Sequence, residues 1–293
     1  MKTLAVLLSL LSFHSFSAQA KDTVVLENES YRILKLGKSS YSIMVKADQF
    51  EDMGCNSGFV VGKNSVVLFD THISETAMKK VMLDIATLTD KPISHAINSH
   101  FHSDHVQGNG ALSESTRILS HKNSLEQFSV KEGREFTHPG KGVRPPDRGI
   151  EEDEVLSDAK LKVLAIGKAH SVGDLAAYQE EDKVLFLGDV YVNGYIGFLK
   201  EGHLNQWISS LEKLKSLDVM SVVPGHGPMA AFTGVVDYQT YLQDFVATTS
   251  AHFEEHGKEE GYELPTKYNH LGARFFLEGN IARAFELWKQ DRL

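Results

Sequence analysis

Cysteine and positive charge are both scarce in this chain, and each shortage narrows what it can be. One cysteine in 293 residues, Cys55, excludes an intrachain disulfide. It also leaves too little sulfur for a soft copper site, and Cys55 itself reads as a small buried hydrophobe. Lysine and arginine number 30 against 39 aspartates and glutamates, a formal net charge of −9. Such an acidic chain lacks the basic surface that phosphate backbones require, so nucleic acid is excluded as a partner. The same acidity argues against general affinity for anionic membrane surfaces. No apolar run reaches the roughly 20 residues of a membrane-spanning helix, which argues against stable membrane insertion.

The longest apolar run, "LAVLLSLLSF" from Leu4 to Phe13, follows Lys2 and precedes Ala18-Gln19-Ala20. A basic start, a short apolar core and an A-x-A end have the order of a secretory signal. Residues 1–20 are therefore expected to be a signal peptide cleaved after Ala20, with the mature chain 21–293 secreted or periplasmic. Losing Lys2 would take the formal charge from −9 to −10.

The mature chain is long enough for a sizeable core. Short β-rich runs come first: "TVVLE", "YRILKL", "YSIMV", "SGFVVG" and "SVVLFD". Between Ile73 and Leu88 the period changes, with Met78, Val81, Met82, Ile85 and Leu88 forming one helical face. Strand character resumes at Ile93–Asn98 and Thr116–Leu119, and "HKNSLEQF" reads as a helix. Residues 131–150 hold three of the seven prolines and four glycines and read as a long loop. "KLKVLAI", "DLAAYQE", "KVLFLGD" and "VMSVVP" are further strands, and Trp207, Ile208, Leu211, Leu214 and Leu217 mark another helix. From about Val235 the tail is helical with a break at "GYELPTKYNH". The pattern predicts α/β architecture: two mixed sheets packed together with helices outside, an αβ/βα sandwich. The first half would run from Lys21 to about Leu156 and the second from about Leu161 to Val223.

Chemistry collects where strands end. "SHFHSDH" places His100, His102, Asp104 and His105 just after the strand at 93–98, and His170 follows the apolar run Leu161–Ile166. Asp189 follows "KVLFL", and His226 follows the strand at 219–223. Strand ends of a layered sheet protein converge on one edge, so these distant residues are expected to share a site. His100 and His102, two apart, point the same way if extended. Imidazole and carboxylate together suit zinc, iron or manganese. Seven ligands exceed what one tetrahedral ion uses and fit two ions, provided one carboxylate bridges. His138, in the Pro-rich loop, is a candidate for lining the site. The remaining histidines, His72 among them, read as structural or surface.

These residues resemble the metallo-β-lactamase fold hydrolases. The H-x-H-x-D-H motif stands intact as His100, His102, Asp104 and His105, and the later single ligands match His170, Asp189 and His226 in order. "NSGFVVG" and "VVLFDT" are similar to strands of that fold's first half. The resemblance implies a four-layer αβ/βα sandwich with a helical C-terminal tail. It implies two zinc ions per chain, with iron or manganese as alternatives: one held by His100, His102 and His170, the other by Asp104, His105 and His226, with Asp189 bridging. The expected function is metal-dependent hydrolysis of a small molecule's ester, thioester, lactone or amide bond, with a shared hydroxide as nucleophile and Asp104 as the catalytic carboxylate. Aspartate at 189 resembles glyoxalase II-like thioesterases and lactonases. β-Lactamases of this fold carry cysteine or serine there, so β-lactam hydrolysis is the less favoured activity. A mononuclear iron oxidoreductase resembling persulfide dioxygenases, using His100, His170 and Asp189, is the alternative. Tyr191, Asn193 and Tyr195 are candidates for lining the pocket, and specificity is expected from segments near 50–56, 131–150 and 191–203. No sequence feature specifies an oligomeric state.

Overall fold

The structure is a computed structural model that describes residues 22–129, 138–139 and 142–293. The expected signal at 1–20 and much of the Pro-rich loop lie outside the described residues. Eight strands form the first sheet in sequential order: β1 (Thr23–Glu27), β2 (Tyr31–Lys35), β3 (Ser40–Val45), β4 (Ser57–Val61), β5 (Val66–Phe69), β6 (Ile93–Ile97), β7 (Arg117–His121) and β8 (Arg148–Ile150). β1 to β5 pair antiparallel, and β5 to β8 pair parallel. The second sheet runs in the order β13 (Ser221–His226), β12 (Val184–Val192), β11 (Asp174–Gln179), β10 (Leu161–Gly167) and β9 (Glu154–Leu156). Only the β12–β13 pair in it is parallel.

The inner faces of the sheets meet in a core of Val60, Val67, Phe69, Ile97 and Leu119 against Val163, Leu175, Val184, Phe186 and Val223. Phe69 and Phe186 touch across it with ring centroids 5.7 Å apart. Strands β5, β11 and β12 are buried along their whole length, which is why they read as continuous apolar runs without alternation.

Helices cover both outer faces. α1 (Phe50–Met53) is a single turn before β4. α2 (Glu75–Leu88) starts where the Ser74 side chain accepts from the Ala77 N–H, and it buries Ala77, Met78, Val81 and Ile85 on the first sheet while Leu83 faces solvent. α3 (Ser103–Val106) is another single turn. α4 (Leu204–Leu214), α5 (Phe232–His256) and α6 (Leu277–Lys289) cover the second sheet around Trp207, Tyr241, Phe245 and Phe253. The architecture is the expected four-layer αβ/βα sandwich with helical C-terminal elements. None of the described helices is long and apolar enough to cross a membrane.

Four expectations shift in detail. β9 belongs to the second sheet, so the chain crosses over at 151–153 and not after Leu156. "HKNSLEQF" forms 3₁₀ turns over Lys122–Ser129, not an α-helix. β8 occupies the end of the predicted Pro-rich loop. β12 and β13 run on through Asp189 and His226, so both residues are strand residues rather than the first residues beyond a strand.

Candidate metal centre

The parallel strands β5, β6 and β13 run toward one edge, and the site is built there. After β6 the chain stays extended through His102, then turns into α3. His100 and His102 therefore lie on one side, ring centroids 4.4 Å apart, as their spacing requires. The single turn of α3 swings Asp104 and His105 inward, closed by the His105 N–H donating to the His102 carbonyl at 3.0 Å. Asp189 comes up from β12 directly after Gly188, whose φ of +51° is in the region glycine adopts freely. A side chain at Gly188 would also strike Ser99, with Oγ 2.4 Å from the Cβ position.

All seven predicted residues come together, in two groups. Nitrogens of His100, His102 and His170 and an oxygen of Asp189 lie within 4.8 Å of one another, and Asp104, His105 and His226 make a second such group. Asp189 stands between them. Its Oδ2 is 3.6 Å from His170 Nε2, while its Oδ1 is 3.2 Å from His105 Nε2 and 3.4 Å from His226 Nε2. Asp104 Oδ2 is 3.2 Å from His226 Nε2 and 3.5 Å from His105 Nε2.

Four polar residues without a role in the sequence pattern, Asp70, Ser99, Glu201 and Asn56, hold these side chains in place. Asp70, directly after β5, accepts from the Ser99 N–H at 2.7 Å and from Ser99 Oγ at 2.8 Å. It also takes the His105 Nδ1 proton at 2.8 Å, which turns Nε2 toward Asp104 and Asp189. Ser99 Oγ, its proton committed to Asp70, accepts from His100 Nδ1 at 2.9 Å and leaves His100 Nε2 as the free lone pair. Glu201 lies 3.1 Å from His102 Nε2; a carboxylate only accepts, so His102 keeps Nδ1 free for the cluster, 3.0 Å from His170 Nε2. Asn56 ties down the turn before and after His226, donating to the carbonyls of Pro224 and Gly227 at 3.1 and 2.8 Å.

The charges show what the cluster wants. Burial drives His100 and His170 toward the neutral form, His170 down to about 3. Burial also opposes charge on His226, but the carboxylates of Asp189 and Asp104 outweigh it and raise it to about 9. Burial would raise Asp189, yet His226 and His105 hold it well below the ordinary carboxylate range. A buried carboxylate pair thus draws protons onto neighbouring imidazoles, positions that a divalent cation would take with release of those protons. Buried His100 Nε2, His105 Nε2 and Asp189 Oδ1 have no hydrogen-bond partner, and they are the atoms aimed into the two groups. Five imidazoles and two carboxylates without a thiolate fit zinc, iron or manganese. Cys55 is near His105 and Asp70 but fully buried, its thiol pushed up to about 12 by burial, so it behaves as the expected small hydrophobe.

A sequence profile described as "Metallo-beta-lactamase superfamily" matches residues 51–226, well over half of the chain and the span that holds every one of these seven side chains. The chain belongs to the metallo-beta-lactamase superfamily. A hydroxyacylglutathione hydrolase from Methylococcus capsulatus is 29% identical over 132 residues, 43% of this chain and 44% of its own length. An acyl-coenzyme A thioesterase from Gallus gallus is 28% identical over 157 residues, 45% of this chain and 55% of its own. The chain spans about half the length of the curated relatives it matches. Among solved structures, a metallo-beta-lactamase from Erythrobacter litoralis superposes with a TM-score of 0.63 at 17% identity, covering 74% of this chain and 98% of that one.

In this metallo-beta-lactamase superfamily member a cavity of about 340 Å³ opens over the centre, reached by His102, Asp104, Asp189 and His226. Of the three proposed lining residues after Asp189, only Tyr195 lines it. Tyr191 is a strand residue buried in the helix-side core against Tyr238, ring centroids 5.7 Å apart. Asn193 spends its side chain on the turn after β13, donating to the Pro228 carbonyl at 2.8 Å. His138 sits beside the site with its ring 5.4 Å from that of Phe101, outside the cavity lining. The segments at 50–56 and 191–203 do contribute, through Phe50, Val192, Tyr195, Gly197 and Phe198.

His72 is structural, as expected, and it sets a pH limit on the fold. It is fully buried, within 3.2 Å of the Met53 carbonyl through Nδ1 and 2.8 Å of Ser57 Oγ through Nε2, with φ +64°. Burial lowers it from 6.5 to about 4. Between those values the unfolded chain binds a proton that the folded chain refuses, so stability falls as pH drops from about 6.5 to 4. The lost stability is about 3 kcal/mol for a shift of this size, at 1.36 kcal/mol per unit. His72→Asn keeps a donor near Met53 and tolerates positive φ. Melting curves from pH 7 to 4 are expected to show a shallower acid slope for that variant, and parallel slopes would count against the assignment.

Proposed function

We propose that this chain is a binuclear metal-dependent hydrolase, with zinc as the metal, acting on an acyl bond of a small molecule. The observation that carries this reading is Asp189, whose two carboxylate oxygens face two different histidine groups. His100, His102 and His170 would hold one ion and Asp104, His105 and His226 the other, with Asp189 shared. Two divalent ions bound there would supply Lewis acidity toward a carbonyl oxygen and a hydroxide nucleophile at neutral pH.

The chain's own groups do the rest. Asp104 reaches the cavity wall beside His226, where its carboxylate can orient the attacking water, accept its proton and pass it to the leaving group. Asp70 and Ser99 fix the tautomers of His105 and His100, so neither imidazole reorganises during turnover. Aspartate at 189, and relatives whose names denote hydroxyacylglutathione hydrolysis and acyl-coenzyme A thioester hydrolysis, support acyl-ester or acyl-thioester cleavage over β-lactam cleavage.

The test is elemental analysis of the purified protein together with turnover of ester, thioester, lactone and β-lactam panels. About two zinc ions per chain with ester or thioester turnover is the expected result. A single iron with persulfide oxidation would overturn it, as would a full zinc complement with no acyl hydrolysis. Glu201 supplies a sharper check. Glu201→Ala removes the carboxylate behind His102, and zinc affinity in competition with a chromogenic chelator is expected to fall about 10- to 100-fold. Glu201→Gln, which still accepts through its carbonyl oxygen, should restore most of it; equal losses in both variants would refute a tautomer-fixing role.

A further inference from the structure

Aromatic side chains stand on both flanks of the metal centre, and nothing in the hydrolytic chemistry requires them. On one flank the Phe198 ring lies 5.8 Å from that of His102 and 5.4 Å from that of Phe276. On the other, the Phe50 ring lies 5.4 Å from that of His226. Val192, Tyr195 and Phe275 complete the wall, so the cavity is apolar from the reacting centre to its rim. Phe275 at that rim is 79% exposed, and its ring is 4.3 Å from that of Phe276.

Phe275 and Phe276 come from the C-terminal tail, outside the residues that match the family profile. Their placement is built. The Gly272 N–H donates to the Gly194 carbonyl at 2.8 Å, and the Ile196 N–H donates to the Gly272 carbonyl at 3.2 Å. Ala273 then turns the chain with φ +57°, a conformation uncommon outside glycine, before the 3₁₀ turn Arg274–Phe276.

Charge completes the picture. Among the described residues no lysine or arginine lines this cavity, and its carboxylates are Asp104 and Asp189. The adjoining groove that shares Phe50 and Tyr195 does carry Arg32 and Lys46, but both are paired with Glu27, at 3.0 and 3.2 Å. The described lining therefore offers a substrate's anionic arm two carboxylates and no cationic side chain.

We infer that the site takes a neutral ester or lactone with an apolar acyl arm, seated along Phe198 and Phe276 with its carbonyl at the metal centre. The inference rests on the hydrolase reading above and narrows its substrate class. It disfavours substrates whose carboxylate or phosphate needs a lysine or arginine in the described lining.

Two measurements on the zinc-loaded protein test it. The first is kcat/KM for p-nitrophenyl acetate, butyrate, pentanoate and hexanoate, with the mono-p-nitrophenyl ester of glutaric acid as an anionic match to the pentanoate. The expected rise is about two- to four-fold per methylene, the fold-change that burying a methylene gives, and the glutarate ester should be at least about ten-fold poorer than the pentanoate, a difference of about 1.4 kcal/mol. In Phe198→Ala the rise per methylene should fall below about two-fold, whatever the absolute rate. The second is isothermal titration of 4-phenylbutanamide, a neutral non-ester, into wild type and Phe198→Ala, with weaker binding expected in the variant. A flat or inverted chain-length series, or a preference for the glutarate ester, would overturn the inference and leave hydrolysis standing. No turnover of any ester, with Phe198-dependent binding of the amide intact, would overturn the hydrolase reading and leave the apolar site standing.

Discussion

Replacing Asp189 by alanine is expected to lower kcat/KM by at least about 1,000-fold and to cut bound metal from about two ions per chain to one or fewer. The lower bound follows from what removing a single preorganised electrostatic group costs, about 100- to 1,000-fold. Asp189 does more than one such group, because its Oδ2 faces His170 while its Oδ1 faces His105 and His226. In the proposed two-ion arrangement its removal would take a ligand from each ion at once, and it leaves Asp104 as the only carboxylate within the two groups. Asp189→Asn makes the comparison sharper, since it keeps the shape and one carbonyl oxygen but loses the charge that would balance the proposed two cations. Metal content should fall in both variants while circular dichroism and melting in the presence of chelator stay close to wild type. Normal zinc content with normal turnover in Asp189→Ala would sink the shared-ligand geometry, and with it the two-ion reading.

The site was largely legible because its chemistry follows a rule that sequence can show. Polar, metal-capable residues recur where apolar strands end, and the edge where those strands meet is set by the sheet itself. The same rule applied evenly would have found Asp70, which directly follows the fully buried "VVLF" of β5 and stands behind His105. A single carboxylate after a strand carries no motif of its own to mark it. Glu201 had no such signal. It lies on a loop 99 positions from His102, and only the packing of that loop against the first half brings the two within 3.1 Å.

Errors in reading the pocket have a related cause. The sequence pattern places Asp189 at a strand end with Tyr191 as a pocket candidate, but β12 continues to Val192 and carries Tyr191 into the core between sheet and helices. Local sequence could not show this, because a strand that passes its own functional residue looks like a strand that stops at it. The aromatic wall was equally silent, since Phe275 and Phe276 reach the cavity only through the backbone pairing of Gly194 and Ile196 with Gly272. Strand β9, at three residues, was too short to announce which sheet it joins.

A methyl group added at a residue with no side chain of its own should do nearly as much damage as losing Asp189. Strands β12 and β13 pair in parallel with an irregular register, and Gly225 lies between the paired positions Pro224 and His226. A Cβ on Gly225 would fall 2.0 Å from Asp189 Oδ1, 2.7 Å from the Gly188 carbonyl carbon and 2.8 Å from the Asp189 nitrogen. Two of those three neighbours are backbone, so no side-chain rotation relieves the overlap. The strands must separate and carry the Asp189 carboxylate with them, and a misplacement of about 1 Å at a reacting centre costs about 100-fold in rate. Gly225→Ala is therefore expected to lose about 100-fold or more in kcat/KM and to bind zinc more weakly, although residue 225 touches neither substrate nor metal. Overpacking of this kind costs about 1 to 3 kcal/mol, so the melting temperature should also fall by several degrees. Gly279→Ala separates the two effects. It lies in α6 with only Lys200 nearby, at 3.7 Å, so it should gain a few tenths to about 1 kcal/mol of helix propensity and leave metal content untouched. If Gly225→Ala melts lower but keeps its zinc and its rate, the close approach of β13 supports the fold without positioning Asp189. If zinc and rate fall together while the melting temperature shifts only a few degrees, the absence of a side chain at 225 is what lets that carboxylate stand between the two histidine groups.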